Sequence, residues 1–89
     1  MIFVDDMRNV VRNKKWPYNK ACHLVADTTD ELHTFARRLR LKRVWFQAGT
    51  LPHYDLTGSK RKMAVMLGAE AISDKRLAEM IRGYRLKGE

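Results

Sequence analysis

The chain alternates between short apolar runs and capped, helix-spaced stripes. Ile2-Phe3-Val4 is apolar and β-rich, and Asp5-Asp6 follow it directly. Such a run predicts a buried first strand, with the aspartates at its carboxyl end as ligand, turn or cap residues. Asn9 to Lys20 is polar and basic, with Trp16-Pro17-Tyr18 inside it. Pro17 blocks a regular helix, so a basic surface loop is expected over 9–20, whose Trp16 and Tyr18 either pin it to the core or, among five cations, stack on bases. Cys22 to Ala26 predicts a second strand, with its core at His23–Ala26. Thr28 with Glu31 three residues on matches a capping box. After it, Leu32, Phe35, Ala36 and Leu39 recur at i, i+3, i+4, i+7, the stripe of an amphipathic helix; His33 is turned away from that stripe.

Arg43-Val44-Trp45-Phe46-Gln47 predicts a third strand, ended by Ala48-Gly49-Thr50, and Pro52 to Leu56 reads as loop. Thr57 or Ser59 then caps a helix running through Leu67, with Met63, Met66 and Leu67 toward the core and Gly68 as its stop. Glu70-Ala71-Ile72 fits a brief fourth strand. Ser73 caps a last helix with Leu77, Met80, Ile81 and Tyr84 on one face, and residues 86–89 form a frayed tail. Strands alternating with helices imply an α/β fold: a small single domain over 1–89, with a three- or four-stranded, mostly parallel sheet and about three helices.

Composition narrows the class. At 89 residues the core is small, and a homodimer is an expected way to enlarge it. The one cysteine, Cys22, cannot form an internal disulfide, which fits a reducing, cytoplasmic setting. No signal-peptide pattern opens the sequence. No apolar run nears the roughly 20 residues of a membrane span.

The net charge of +8 is unevenly spread. Arg8, Arg12, Lys14, Lys15 and Lys20 fall in a stretch without an acid, and so do Arg37, Arg38, Arg40, Lys42 and Arg43. Arg8, Arg12, Lys14, Lys15, Arg37, Arg40 and Arg43 are the expected face for a polyanion: a nucleotide, nucleic acid or acidic protein. The bland alternative is a solvated basic surface. Lys75, Arg76, Arg82 and Arg85 on the last helix allow a DNA-binding helix, although the turn before it is short for a helix-turn-helix.

Candidate chemistry gathers at His53-Tyr54-Asp55-Leu56-Thr57-Gly58-Ser59-Lys60-Arg61. In a parallel sheet, Asp5, Asp6, Asp27 and this loop share one edge. Asp5, His53 and Asp55 are then the catalytic candidates, and Asp5, Asp6, His23, Asp27 and His53 the candidate ligands of a divalent metal. Carboxylates suit magnesium or manganese, and imidazoles raise the case for zinc. Tyr54, Thr57, Ser59, Lys60 and Arg61 are candidate phosphate ligands, because a helix start offers free amides and two cations follow. No fixed metal-ligand spacing, Walker loop or nucleophile elbow is present. Cys22, in a strand, is expected to be inert.

Several pieces also match a known pattern: Val4-Asp5-Asp6-Met7-Arg8, His23-Leu24-Val25-Ala26-Asp27-Thr28, Glu31-Leu32-His33, Arg43-Val44-Trp45-Phe46-Gln47, His53-Tyr54-Asp55, Ser59-Lys60-Arg61, Ala64-Val65 and Gly68-Ala69. Together the chain resembles a small bacterial and phage family, domain of unknown function 4031. The resemblance implies that these polar pieces belong together, and it brings no activity with it. The expectation is therefore a domain that binds a phosphate-bearing ligand at an Asp/His-rich sheet edge and hydrolyses a phosphoester with a divalent metal. The alternative is a non-enzymatic, phage-encoded basic module that binds nucleic acid or a host protein.

Overall fold

The computed structural model describes residues 1–87, with side chains to residue 83. The chain runs β1 (Ile2–Val4), β2 (Arg8–Asn9), β3 (Lys20–Ala26), α1 (Thr29–Arg38), a 3-10 turn (Arg43–Trp45), β4 (Tyr54–Leu56), α2 (Gly58–Met66), β5 (Glu70–Ala71) and α3 (Asp74–Lys87). The expected Tyr84 contact, the Arg85 and Lys87 side chains and the end of the 86–89 tail lie outside the described residues. No helix among those described is long and apolar enough to cross a membrane.

The fold is α/β, with three helices and a five-stranded mixed sheet. β3 is its spine. β1 and β2 pair antiparallel with successive halves of one of its edges, and β4 pairs antiparallel with the other. β5 lies outside β1 and is parallel to it. The expectation of a mostly parallel sheet is thus corrected. A parallel pairing of β1 with β3 needs a crossover of a dozen or more residues, usually helical. The connection here is instead a basic hairpin, closed by Val10 N–H to Asn19 C=O (3.0 Å) and Asn13 N–H to Trp16 C=O (2.9 Å).

The sheet has two unlike faces. Val4, Cys22, Leu24, Ala26, Tyr54 and Leu56 point toward α1 and α2 and join Leu32, Phe35, Ala36, Leu39 and Ala64 in the main core. Phe3 and Val25 point the other way, under Leu51 and Leu77 of α3. The alternation of side chains along a strand makes this division. α3 covers only part of the second face.

α1 forms where its cap and stripe predict. Thr28 Oγ1 accepts the Glu31 N–H at 3.2 Å, and Leu32, Phe35, Ala36 and Leu39 are all buried. Thr57, rather than Ser59, caps α2, accepting the Lys60 N–H at 3.3 Å. Both helices close with the same motif. Leu41 N–H reaches Ala36 C=O and Ala69 N–H reaches Ala64 C=O, each at 2.9 Å. The residue before each donor is left-handed: Gly68 at φ 108° and Arg40 at φ 60°. Ser73 caps α3 through the Arg76 N–H, at 3.2 Å.

Two further expectations are corrected. Residues 43–47 do not form a strand. Val44 is 82% exposed and Trp45 50%, and only Gln47 pairs, as a single bridge to His53. Lys42 and Arg43 lie over the Trp45 and Phe46 rings, so the segment's aromatics are met by cations at the surface. The edge of β3 goes instead to Tyr54–Leu56, whose Tyr54 and Leu56 are buried. In α2, Met63, Met66 and Leu67 face outward, and Ala64 is the buried contact. The inner side of that helix carries Lys60 and Arg61, whose tips satisfy backbone carbonyls: Lys60 Nζ donates to Leu39 C=O at 2.6 Å and Arg61 Nε to Asp5 C=O at 2.9 Å.

Candidate functional site

The site starts from a defect in the hairpin. Val4 lies opposite Leu24 and Arg8 opposite Ala21. Asp5, Asp6 and Met7 therefore face only Cys22 and His23, which makes a β-bulge. The extra residue turns the Asp5 side chain back onto β3. Its Oδ1 accepts the backbone N–H of His23 at 2.5 Å, and its Oδ2 accepts from His23 Nδ1 at 2.8 Å. Arg8 Nη2 donates to the same Oδ2 and to Asp74 Oδ1 at the start of α3, the latter at 3.0 Å.

Asp5 is fully buried. Burial alone pushes its pKa up. The His23 ring, the His23 N–H and the Arg8 guanidinium outweigh that and hold the carboxyl below its ordinary value. Asp5 thus stays ionised and fixes the His23 ring with its Nδ1–H inward and Nε2 outward.

Strand alternation adds two more groups. His23 sits directly opposite Asp55 in the β3–β4 ladder, so their side chains share a face. His53, two residues before Asp55, projects to the same side. The His23 and His53 rings meet edge to face, with centroids 4.9 Å apart. His53 Nδ1 donates to the Leu51 carbonyl at 2.8 Å, which leaves Nε2 toward Asp55 Oδ1, at 3.6 Å. Gln47 Nε2 donates to the other Asp55 oxygen. One ligand atom each from His23, His53 and Asp55 lies within 4.8 Å of the others.

This is a donor set with its outer supports in place. Imidazoles that bind metals almost always give their second N–H to a carboxylate or carbonyl, which fixes tautomer and ring orientation. Asp5 does that for His23 and Leu51 for His53. Three protein ligands with room for a fourth is the arrangement of hydrolytic zinc sites. Two of the three, His23 and Asp55, border a cleft of about 220 Å³. Arg8, Asn13, His23 and Asp55 line its polar side, and Val10, Val11, Trp16 and Ala21 its apolar side.

Of the residues singled out in sequence, Asp5, His23, His53 and Asp55 come together here. Asp27 does not. It follows the far end of β3, with its carboxylate 3.0 Å from the terminal ammonium of Met1. The antiparallel pairing of β1 and β3 is the reason: Asp5 meets His23 in the middle of the strand, and Asp27 follows its far end. Asp6 is exposed and outside the cluster. Tyr54 is buried on the opposite face, its hydroxyl 2.9 Å from His33 Nδ1. Burial pushes the Tyr54 pKa up, and burial followed by Arg43 pushes that of His33 down. Thr57 and Ser59 bond to each other at the start of α2, and Lys60 and Arg61 are engaged with backbone carbonyls. These five residues do not form one cradle. Arg37, Arg40 and Arg43 belong to the α1 side of the sheet, whereas Arg8 lines the cleft and Arg12, Lys14 and Lys15 ride on the hairpin beside it.

Sequence reasoning missed the parts played by Gln47 and the Leu51 carbonyl; it singled out Trp16 as an anchor or a stacking platform, but not the cleft that the hairpin walls. Gln47 carries a faint signal as the polar end of an apolar run. A backbone carbonyl carries none. Cys22, beside the cluster in sequence, points into the core, and burial pushes its thiol up to about 12.

No curated protein and no solved structure matches the chain. A family match does exist. The pattern described as "Protein of unknown function (DUF4031)" fits residues 2–84, almost the whole length. His23, His53, Asp55 and their supports all fall inside that span, and the chain belongs to the DUF4031 family.

Proposed function

We propose that the chain binds a phosphate-bearing ligand, a nucleotide or nucleic acid, over the His23–His53–Asp55 cluster and hydrolyses a phosphoester there with a divalent ion. The observation that carries this reading is the paired tautomer control. Both Nδ1 atoms are occupied by inward acceptors, which leaves both Nε2 atoms for an ion, that of His53 3.6 Å from the Asp55 carboxylate. Two imidazoles and one carboxylate favour zinc over magnesium.

A bound ion would supply a Lewis acid and bring the pKa of a coordinated water toward about 7. The chain's own groups do the rest. Asp5 and the Leu51 carbonyl keep the rings oriented, and Gln47 holds Asp55. Arg8 faces the cleft with Nε and Nη1 unpartnered among the described residues, ready to take phosphate oxygens. In the reaction, water oxygen bonds to phosphorus and the ester P–O bond breaks. The electron pair leaves with the ester oxygen, which gains a proton from solvent, and the proton lost by water returns to solvent.

The test is metal binding followed by turnover. Chelator-stripped protein titrated with zinc, manganese and magnesium against a chromogenic chelator should take up one zinc. His53→Ala and Asp55→Asn should each weaken zinc by at least about 100-fold, beyond the 10–100-fold effect of an outer-shell change, with circular dichroism unchanged. The zinc-loaded parent should cleave an activated phosphodiester and the two variants should not. Absence of stoichiometric metal uptake by the parent rejects the reading.

A further inference from the structure

The cleft wall opposite His23 and Asp55 narrows the substrate class of this site. It is the hairpin between β2 and β3, and its indole is set in advance. Trp16 is half-buried and lines the cleft. Its Nε1 donates to the Lys20 carbonyl at 3.2 Å, and Asn13 Oδ1 accepts the backbone N–H groups of Lys15 and Trp16 at 2.9 Å each. The Tyr18 ring meets the indole edge to face, 5.2 Å between centroids. A ring held this way loses little freedom when a second flat group stacks on it.

The surroundings choose the flat group. From residue 7 to residue 26 the sequence holds no acid, and Arg12, Lys14, Lys15 and Lys20 are exposed on the hairpin. Cations that track a phosphate backbone, combined with an aromatic platform, are the composition of single-strand nucleic-acid binding. The size of the cleft fits the same ligand. About 220 Å³ lies below the roughly 300 Å³ at which pockets for drug-sized ligands begin, a size suited to one flat base. A base inside a duplex is stacked on both sides and offers no free face to Trp16.

We infer that the cleft takes one base of a single-stranded nucleic acid, stacked on Trp16, with the adjoining phosphate directed to His23, His53 and Asp55. The catalytic part rests on the function proposed above; the stacking does not.

The experiment measures fluorescence anisotropy of 5′-labelled 12-nucleotide oligothymidylate and oligouridylate, and of a 12-base-pair duplex, with the full chain. It is run with chelator and again with zinc. Both single strands should bind more tightly than the duplex, and the two strands report whether the sugar matters. Trp16→Ala should weaken single-strand binding by roughly 5- to 150-fold, the range for loss of one base–aromatic stack. Trp16→Phe should recover most of it. Zinc affinity of Trp16→Ala should match the parent. If Trp16→Ala fails to fold, indole fluorescence in a Trp45→Phe background decides: oligothymidylate should quench it. Equal or tighter duplex binding, undiminished binding by folded Trp16→Ala, or no quenching overturns the inference. A parent that binds no zinc but binds single strands through Trp16 rejects the hydrolytic reading alone. A parent that binds zinc without preferring single strands rejects the substrate class alone.

Discussion

Replacing Asp5 with asparagine should lower stability and metal affinity together, because one carboxylate supports both. The Asp5 carboxylate accepts the His23 N–H, the His23 Nδ1–H and an Arg8 N–H from a fully buried position. Asparagine keeps one oxygen, enough for the His23 N–H. Its NH2 then stands against two donors. The lost bond to the His23 ring is worth about 1.5–3 kcal/mol, the range for a bond to a charged group. The Arg8 pair adds less than about 1 kcal/mol, because that guanidinium is 41% exposed and already shared with Asp74.

The sum, about 1.5–4 kcal/mol, is large against the roughly 4–13 kcal/mol expected for 89 residues. It corresponds to a fall of about 6–30 °C in Tm. Freed from Asp5, the His23 ring can rotate or change tautomer, so zinc affinity should drop by about 10–100-fold. Urea unfolding followed by circular dichroism gives the first quantity, and chelator competition the second. The acid limb supplies a control. Asp5 has a lowered folded pKa, so its stabilisation is present above the unfolded value of about 3.9. It is lost as pH falls through the folded value. Stability of the parent should therefore decline below about pH 4 more steeply than that of Asp5→Asn. A variant within about 0.5 kcal/mol of the parent, with the same zinc affinity, would show that the bulge does not hold the ring.

Two further outcomes test the surrounding fold. Arg40 occupies a left-handed helix-end position at φ 60°, so Arg40→Gly should stabilise by about 1 kcal/mol and Gly68→Ala destabilise by a similar amount, read from urea midpoints. The Cys22 thiol, pushed up to about 12 by burial, should resist an aromatic disulfide reagent at pH 8 and react once the chain is unfolded in guanidinium. Stability should also fall as pH rises from about 9, where the unfolded thiol ionises, toward the folded value.

The parts of the fold that were legible in sequence are those decided locally. Thr28 and Glu31 mark the start of α1, the Leu32 to Leu39 stripe marks its buried side, and Gly68 marks the end of α2. Each depends on residues a few positions apart. Strand direction was also within reach. Residues 9–20 hold Pro17 and no helical stripe, so they cannot provide the crossover that a parallel neighbour requires. The misassigned third strand had a different cause. Val44-Trp45-Phe46 has strand-forming side chains, but a propensity does not say whether an edge is available. Tyr54-Asp55-Leu56 fills that edge with only three residues, fewer than a strand pattern needs to stand out from its loop. Likewise, Met63, Met66 and Leu67 are apolar enough for a core that the Ala64 side of α2 already fills.

Asp5, His23, His53 and Asp55 do lie together, but not for the reason that groups them by composition. Asp5 and Asp27 share an edge as strand-end carboxylates only if the strands are parallel. In the antiparallel pair they separate, and Asp27 leaves the cluster. What brings the others together is register. A direct pairing sets His23 opposite Asp55, and alternation along β4 adds His53. A one-residue slip of β4 would turn both His53 and Asp55 into the main core and bring Tyr54 and Leu56 out. Burial of Tyr54 and Leu56 therefore fixes, from behind, the face that carries the candidate ligands His53 and Asp55. Asp5 enters by a different device, the bulge, which takes it out of the expected ligand set. Its oxygens are spent on His23 and Arg8, which makes it the support of a ligand. The two roles separate by experiment: loss of a ligand should abolish the site, whereas loss of a support should weaken it.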